Sequence, residues 1–188
     1  MYNINGGIME DINEIKSYLK ARLTDYRYEH SLMVADECEK LAIHYGVDSN
    51  KAYIAGLIHD MAKDLSEEEN NKYIEKYEID SSFDMKTLHG EIGYYMAMEQ
   101  GYDNDICDAV RYHTLGHDGM NIYAKIVLVA DKIARSDSNP QIDETRKLAY
   151  ESLDDAIVYY LKFLKDKLNS LGKEMHPWSI RCLEELSE

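Results

Sequence analysis

The sequence is poor in residues that interrupt helices or stabilise small secreted folds. It contains two prolines, ten glycines and three cysteines among 188 residues. Cys38, Cys107 and Cys182 are odd in number, widely spaced and outside any CxxC pattern, which disfavours both a disulfide framework and a zinc knuckle. We therefore expect reduced thiols in a cytoplasmic protein.

Positive charge is also scarce. Lys and Arg number 21 against 36 Asp and Glu, so the net charge is -15. This charge repels nucleic acid and anionic membranes at long range, and no Lys/Arg stripe offsets it. The opening stretch MYNINGGIMED has no basic segment or long apolar run, so we expect neither a signal peptide nor a membrane span. A phosphate-bearing ligand must instead meet metal ions or a few placed cations.

The sequence is rich in apolar stripes of helical period. Such stripes, without the alternation typical of strands, predict an all-α fold and a single domain over 1–188, with 1–9 as a loose N-terminal segment. Helix boundaries read from sequence carry errors of about 2 to 4 residues. The expected helices are 10–22, 27–45, 49–62, 66–77, 86–100, 103–114, 121–135, 141–171 and 177–186.

Four histidines occupy core-facing or helix-end positions in this pattern. His30 shares an apolar stripe with Val34 and Cys38. His59, His89 and His113 extend the apolar faces of three further helices. Taken singly, each histidine fits a hydrogen-bonded core residue better than it fits a metal ligand.

Asp131 lies on the buried stripe of another helix, between Val127 and Ala134. An unpaired buried carboxylate is costly, so Asp131 needs either a salt bridge to Lys or Arg or a metal ion. Asp60, directly after His59, adds a second carboxylate. The histidines and these two acids come from five helices, and a helical bundle can gather such side chains at one internal site. One metal site explains them better than separate coincidences.

This nitrogen and carboxylate set, without thiolate, suits Fe, Mn, Co or Zn in an open site rather than structural zinc. The expected ligands form a first group, His30, His59, Asp60 and Asp131, and a second group, Asp60, His89 and His113, with Asp60 bridging two ions. Two ions about 3.5–4 Å apart can share a hydroxide as nucleophile and hold phosphate oxygens for in-line attack. The set therefore predicts hydrolysis of a phosphoanhydride or phosphoester.

Nearby charges are candidate substrate contacts. Lys63 lies one helical turn beyond Asp60, where it can neutralise a phosphate. Asp64 can orient a ligand or assist proton transfer, so Asp60, Lys63 and Asp64 are the candidate catalytic residues. Arg27 and Arg111 can reach a phosphate from the rim. Each of these flanking residues also fits an ordinary role, as a solvated helix-end lysine, a capping acid or a surface charge.

Five segments, in chain order, resemble the HD-domain metal-dependent phosphohydrolases: RYEHS, LIHDMAKD, LHGEIGYYM, VRYHTLGHDGM and IVLVADKI. More narrowly, they are similar to the YqeK-type symmetrical bis(5'-nucleosyl)-tetraphosphatases, which hydrolyse diadenosine tetraphosphate. The resemblance covers the chain from about Ile12 onward. It implies an HD-domain helical bundle, the same six ligands around a di-iron or similar centre, and Lys63 and Asp64 facing the substrate phosphates.

The chain departs from the family pattern at two places. HTLGH, ending at His117, stands where the family has HTTGR, and ARSD, containing Arg135, stands where it has an EPNR-like stretch. Because these places flank the expected ligands, we expect His117 and Arg135 to modulate substrate handling without binding metal.

The resemblance implies a small-molecule dinucleotide substrate, diadenosine tetraphosphate, cut at its centre to give two ADP. No nucleic-acid or membrane partner is expected, and a homodimer is compatible with the sequence. The rival enzyme reading is an HD-type nucleotidase or phosphodiesterase acting on other nucleotides. A different class of protein is a non-catalytic helical module that senses nucleotides or metal.

Overall fold

The computed structural model describes residues 11–80, 84, 86–137 and 139–188. The predicted loose segment 1–9 lies outside these ranges. The described residues form α-helices and no strand, which confirms the all-α prediction. The helices are α1 (Ile12–Lys20), α2 (Asp25–Tyr45), α3 (Ser49–Ile58), α4 (Glu67–Tyr77), α5 (Leu88–Glu99), α6 (Asn104–Tyr112), α7 (Ile122–Ile133), α8 (Pro140–Ala149), α9 (Leu153–Ser170) and α10 (Pro177–Glu185).

The C-terminal part contains two helices where the periodicity predicted one over 141–171. α8 ends at Ala149, and α9 begins at Leu153. The side chain of Ser152 caps α9 by accepting a hydrogen bond from the Asp155 amide at 3.2 Å, which satisfies one free amide of the first turn. The single-helix prediction was wrong because buried residues, Ala149 and Leu153, continue on both sides of the turn.

α3 and α6 both end at a histidine. α3 ends at Ile58 with His59 as its C-terminal cap, and α6 ends at Tyr112 with His113 in the same role. The predicted helices 49–62 and 103–114 were therefore too long. Two expected metal ligands thus lie at helix ends, where the last carbonyl groups have no partner within the helix.

The helices that carry the expected ligands pack directly on one another. α2 packs on α3 and α7, and α6 packs on α3, α5 and α7. Gly56 allows the close approach of α2 and α3, because a Cβ atom there would lie 2.7 Å from Cys38 Sγ and 3.0 Å from Ala35 Cα. This approach brings the segments that carry His30 and His59 side by side.

α5 approaches α6 by the same means. A Cβ atom on Gly90 would lie 2.8 Å from the carbonyl oxygen of Arg111, which is closer than real Cβ contacts allow. Gly90 follows His89 in the chain, and Arg111 lies two residues before His113. The missing side chain therefore sets the distance between two expected ligands.

Two broader expectations can be compared with the described residues. Cys38, Cys107 and Cys182 are all free and buried, in line with the expected reduced thiols. Across the described ranges, no helix has both the length and the apolar character needed to cross a membrane.

Candidate metal centre

The first ligand group lies where α2, the end of α3 and α7 meet. One ligand atom from each of His30, His59 and Asp60 lies within 4.8 Å of the others. Asp131 Oδ1 lies 2.9 Å from His30 Nε2 and 3.7 Å from His59 Nε2. The structure thus brings together the four residues predicted around the first ion.

The second group lies directly beside the first. Asp60 Oδ1 is 3.2 Å from His89 Nε2 and 3.5 Å from His113 Nε2. The two imidazole Nε2 atoms are 3.0 Å apart. The other oxygen of Asp60, Oδ2, lies 3.7 Å from His59 Nε2, so this carboxylate presents one oxygen to each group, as a bridging ligand does.

The tautomers of two histidines follow from their hydrogen bonds. His59 Nδ1 lies 2.6 Å from the carbonyl oxygen of Gly56, and His113 Nδ1 lies 2.6 Å from that of Val110. A carbonyl oxygen only accepts, so each Nδ1 carries a proton, and in the neutral ring each Nε2 presents a lone pair. These bonds also satisfy carbonyl groups at the ends of α3 and α6.

A metal ion fits the groups that are present. His59 Nε2 is fully buried and has no hydrogen-bond partner among the described residues, although buried polar atoms are nearly always paired. Its lone pair points toward the carboxylates of Asp60 and Asp131. Nitrogen and oxygen donors fixed from behind by backbone hydrogen bonds are typical of metal-binding histidine sites.

Burial and neighbouring charges shift the pKa values of several groups in this cluster toward the deprotonated states that can bind a metal ion. Burial lowers the pKa of His89 to about 4, which keeps the ring neutral. Burial likewise lowers the pKa of His113. For Asp60, burial raises the pKa, but the neighbouring imidazoles of His59, His113 and His89 outweigh it, and the pKa falls well below its usual range.

Asp131 forms one of the salt bridges that the sequence left open and also faces the histidine cluster. Its Oδ2 atom lies 2.5 Å from Lys132 Nζ, while Oδ1 faces His30 and His59. Burial raises the pKa of Asp131, but the Lys132 charge and the histidine contacts lower it well below the usual range. The salt bridge and the histidine cluster therefore coexist at one carboxylate.

A cavity of about 490 Å³ opens onto both ligand groups. Five of the six expected ligands line it, while His59 is fully buried behind the wall. Of the expected substrate contacts, Arg27, Lys63 and Arg135 line the cavity. Lys63 Nζ lies 3.0 Å from both ring nitrogens of His89, and burial lowers the pKa of this lysine.

Three other candidates do not line this cavity. Asp64 accepts hydrogen bonds from the Thr24 amide at 2.9 Å and from Arg27 Nε at 3.0 Å, so it holds the start of α2 and orients an arginine. This position fits the alternative role of Asp64 as a capping acid. Asp64 can act on substrate only through Arg27 in this arrangement.

Arg111 and His117 lie together on a neighbouring surface. Arg111 forms an ion pair with the buried Glu91. The His117 ring stacks on Tyr112 at 4.8 Å and meets Trp178 edge-on at 4.9 Å. Sequence spacing could not show that both side chains are engaged by residues from other turns and helices.

Four cavity residues were missed by the sequence reasoning. Thr114 Oγ1 lies 2.9 Å from His113 Nε2, and Lys132 pairs with Asp131. Tyr26 and Met33 line the cavity from α2. Thr114 and Lys132 directly follow expected ligands, and this adjacency was the one available signal.

The α-helical fold gathers histidines and aspartates into two adjoining groups. The HD domain profile matches residues 27–136, a range that contains all six expected ligands. The chain belongs to the HD-domain family.

More specific relatives lie within that family. The chain is 35% identical over 154 residues to the symmetrical bis(5'-nucleosyl)-tetraphosphatase of Bacillus subtilis, covering 79% of this chain and 83% of the relative. It is 33% identical over 154 residues to the enzyme of the same name from Staphylococcus aureus, covering 78% and 79%.

A solved structure agrees with this placement. A crystal structure from Clostridium acetobutylicum, described as a predicted HD superfamily hydrolase involved in NAD metabolism, superposes with a TM-score of 0.87. The two chains share 31% sequence identity, and the match covers 96% of this chain and 98% of the other. The similarity therefore extends over almost the whole fold.

Proposed function

We propose that this protein hydrolyses diadenosine tetraphosphate at the symmetric position and releases two ADP. Relatives named for this reaction share about a third of the sequence over most of the chain. The observation that carries the proposal is the carboxylate of Asp60, which presents one oxygen to each of two histidine groups at the base of a cavity. Such a site can hold two ions against a phosphate chain.

We propose iron as the metal, with Mn, Co or Zn able to replace it, because the donors are imidazole and carboxylate without thiolate. Bound ions would supply Lewis-acid activation of water and of phosphate oxygens. His30, His59, Asp60 and Asp131 would hold one ion. Asp60 with His89 and His113 would hold the other.

The remaining residues would bind and orient the substrate. Lys63 Nζ, which lies beside His89, would donate hydrogen bonds to a phosphate next to the second group. Arg27 Nη1 lies 3.4 Å from Asp60 Oδ2 and lines the cavity, so it can neutralise a neighbouring phosphate. Asp64 fixes this arginine through its Nε atom. Arg27 and Lys63 thus place basic side chains where a tetraphosphate would lie, despite the acidic chain.

The remaining finer proposals concern partners and compartment. The substrate is a small dinucleotide, and His117 modulates its handling from outside the cavity wall. Three free, buried cysteines are in keeping with a reducing compartment, and we propose the cytoplasm.

The experiment is product analysis. The purified protein is incubated with diadenosine tetraphosphate and iron or manganese, and the products are separated by anion exchange. ADP as sole nucleotide product is expected. Equal amounts of ATP and AMP would show asymmetric cleavage and contradict the proposal. Inactivity on this substrate, combined with phosphate release from nucleoside monophosphates, would favour the nucleotidase alternative.

A further inference from the structure

A second cavity, of about 410 Å³, adjoins the cavity of the metal centre. Met33, Ala134 and the segment 135–137 line both cavities and form their shared wall. Beyond this wall the second cavity lies between α2, the end of α7 and the last turn of α8. Its other lining residues are Asp36, Glu37, Lys40, Ile133 and Arg146.

Acidic and basic side chains are equal in number around the second cavity, and two of the basic side chains are paired with other groups of the protein. Lys40 Nζ lies 3.1 Å from Glu37 Oε2. Arg146 donates hydrogen bonds to Asp143 Oδ1 at 3.0 Å and to the Ile133 carbonyl oxygen at 2.9 Å. The carboxylate of Asp36 forms no salt bridge with any described residue. The cavity therefore offers acceptors to hydroxyl and amino groups, and it lacks the positive excess that a phosphate group would need.

The side chains on α2 add apolar surface to both cavities. Met33 is 42% exposed and lies three residues after His30, while Tyr26 is 79% exposed and lies four residues before it. Residues at these spacings share one face of a helix. Two exposed apolar side chains thus flank a metal ligand on opposite sides. An aromatic ring and a thioether are both suited to contact a planar base.

We propose that the second cavity binds one nucleoside of the dinucleoside tetraphosphate, with its base against Met33. The other nucleoside lies on the Tyr26 side of the metal-centre cavity. This inference rests on the proposed function, because a substrate cut at its centre carries one nucleoside on each side of the metal-bound phosphates. Two such groups need two compartments. Cavities of this volume are typical of small-molecule sites.

The shared wall supplies a cation for the crossing phosphates. Arg135 lines both cavities and forms no salt bridge with a carboxylate of the described residues. A phosphate chain that runs from the metal centre into the second cavity must pass this side chain. Arg135 is then a substrate contact that links the two compartments, which gives a structural meaning to its departure from the family pattern.

The test fills the second cavity without touching the metal centre. Asp36→Trp places a bulky side chain in the cavity. Glu39→Trp is the matched control, an exposed acid on the same helix that does not line either cavity. Each variant is assayed for KM and kcat on diadenosine tetraphosphate. The inhibition constant of adenosine 5'-tetraphosphate, which lacks the second nucleoside, is measured against the same reaction.

The expected result is a KM for diadenosine tetraphosphate about tenfold higher in Asp36→Trp, which corresponds to ~1.4 kcal/mol of lost binding. The inhibition constant of adenosine 5'-tetraphosphate should change less than about twofold, the range of an ordinary surface substitution, because its one nucleoside can occupy the Tyr26 side. Glu39→Trp should resemble the parent in both measurements. If circular dichroism shows that Asp36→Trp does not fold, Lys40→Trp fills the same cavity and replaces it.

Three results would overturn the inference. Equal KM values for the two tryptophan variants would show that the second cavity is not used. An equal rise in KM and in the inhibition constant would show an effect on the phosphates common to both ligands. A parent protein that is inactive on diadenosine tetraphosphate would overturn the proposed function and this inference together, whereas the first two results leave the proposed function intact.

Discussion

Arg111 donates two hydrogen bonds to the buried carboxylate of Glu91, from Nε at 2.8 Å and from Nη2 at 2.5 Å. Glu91 is 5% exposed, so removing its partner leaves a buried charge without compensation. We expect Arg111→Met to lower the free energy of unfolding by about 3 kcal/mol. Urea denaturation measures this loss. KM for the dinucleotide should stay near the parent value, because Arg111 does not line the metal-centre cavity.

Arg181→Met is the matched control for this prediction. Arg181 pairs with Asp118 at 2.8 Å, but both side chains are more than 40% exposed, and such surface pairs contribute at most about 1 kcal/mol. A raised KM with unchanged stability in Arg111→Met would instead support the contact with substrate phosphates expected from sequence.

The carboxylate of Asp60 faces both histidine groups, and we therefore expect it to determine the metal content of the protein. Asp60→Ala should lose metal from both positions, because one side chain faces both histidine groups. Lys63→Ala should retain the metal and lose activity. Elemental analysis of the purified variants measures the first effect and product chromatography the second.

The sequence offers its own control, since a second His-Asp dipeptide occurs at His117-Asp118. Asp118 forms a salt bridge with Arg181 and lies outside both described groups. Asp118→Ala should therefore keep the full metal content. Full metal content in Asp60→Ala would contradict the bridging role.

We expect Glu99 to contribute to the stability of the fold in a pH-dependent way. Burial raises the pKa of Glu99, but hydrogen bonds from Lys76, Tyr77 and Tyr73 outweigh it and leave the pKa lowered. A folded-state pKa below the unfolded value, about 4.3, means that the stabilisation is present above that pH and is lost as the pH falls through the folded-state pKa. The Tm difference between parent and Glu99→Gln should therefore be largest near pH 7 and shrink below pH 4.

Glu68→Gln provides the comparison for this pH dependence. Glu68 pairs with Lys72 at 2.8 Å on the surface of α4, with the carboxylate side chain 81% exposed. Because solvent screens such pairs, its Tm difference should be small at every pH. Parallel pH profiles for the two variants would argue against the special role of the Glu99 cluster.

We expect substitution of Gly90 to disturb the packing of α5 on α6. Gly90→Ala would bring a Cβ atom to 2.8 Å from the backbone oxygen of Arg111, so α5 and α6 must separate. Overpacking of this kind costs about 1–3 kcal/mol, and it should also weaken metal binding at His89 and His113. Thermal denaturation and metal titration measure the two effects.

Gly93→Ala distinguishes a backbone collision from a side-chain collision. Its Cβ would also meet an atom at 2.8 Å, but that atom is Val110 Cγ1, which belongs to a side chain and not to the backbone of α6. Gly93→Ala should therefore be the milder substitution. Equal losses of metal affinity would show that helix separation is not the cause.

Local periodicity predicted the helical fold and the convergence of six candidate ligands, because each of these residues repeats a burial pattern visible within its own helix. The structure brings those six residues together. The sequence could not show that Arg111 forms an ion pair with Glu91 on the neighbouring helix. The turn at 150–152 was hidden because the buried residues Ala149 and Leu153 continue across it. Pairings between distant turns leave no local pattern in a sequence.

The cavities show the same limit. Met33 and Asp36 line a cavity beside the segment 134–137, and this placement depends on how α2 packs on α7. Lys132 follows Asp131 directly, yet its orientation toward the carboxylate is decided by the rotamer. Residues that define a cavity from two helices are therefore found only in three dimensions.

The fixed orientation of the histidines that cap α3 and α6 would affect how readily a metal ion binds. Their rings are already held by backbone carbonyls in the helix ends, so loading an ion freezes little additional side-chain motion. In the neutral rings their Nε2 atoms carry no proton that would have to leave. A metal ion that bound at these positions would therefore require little rearrangement of the chain.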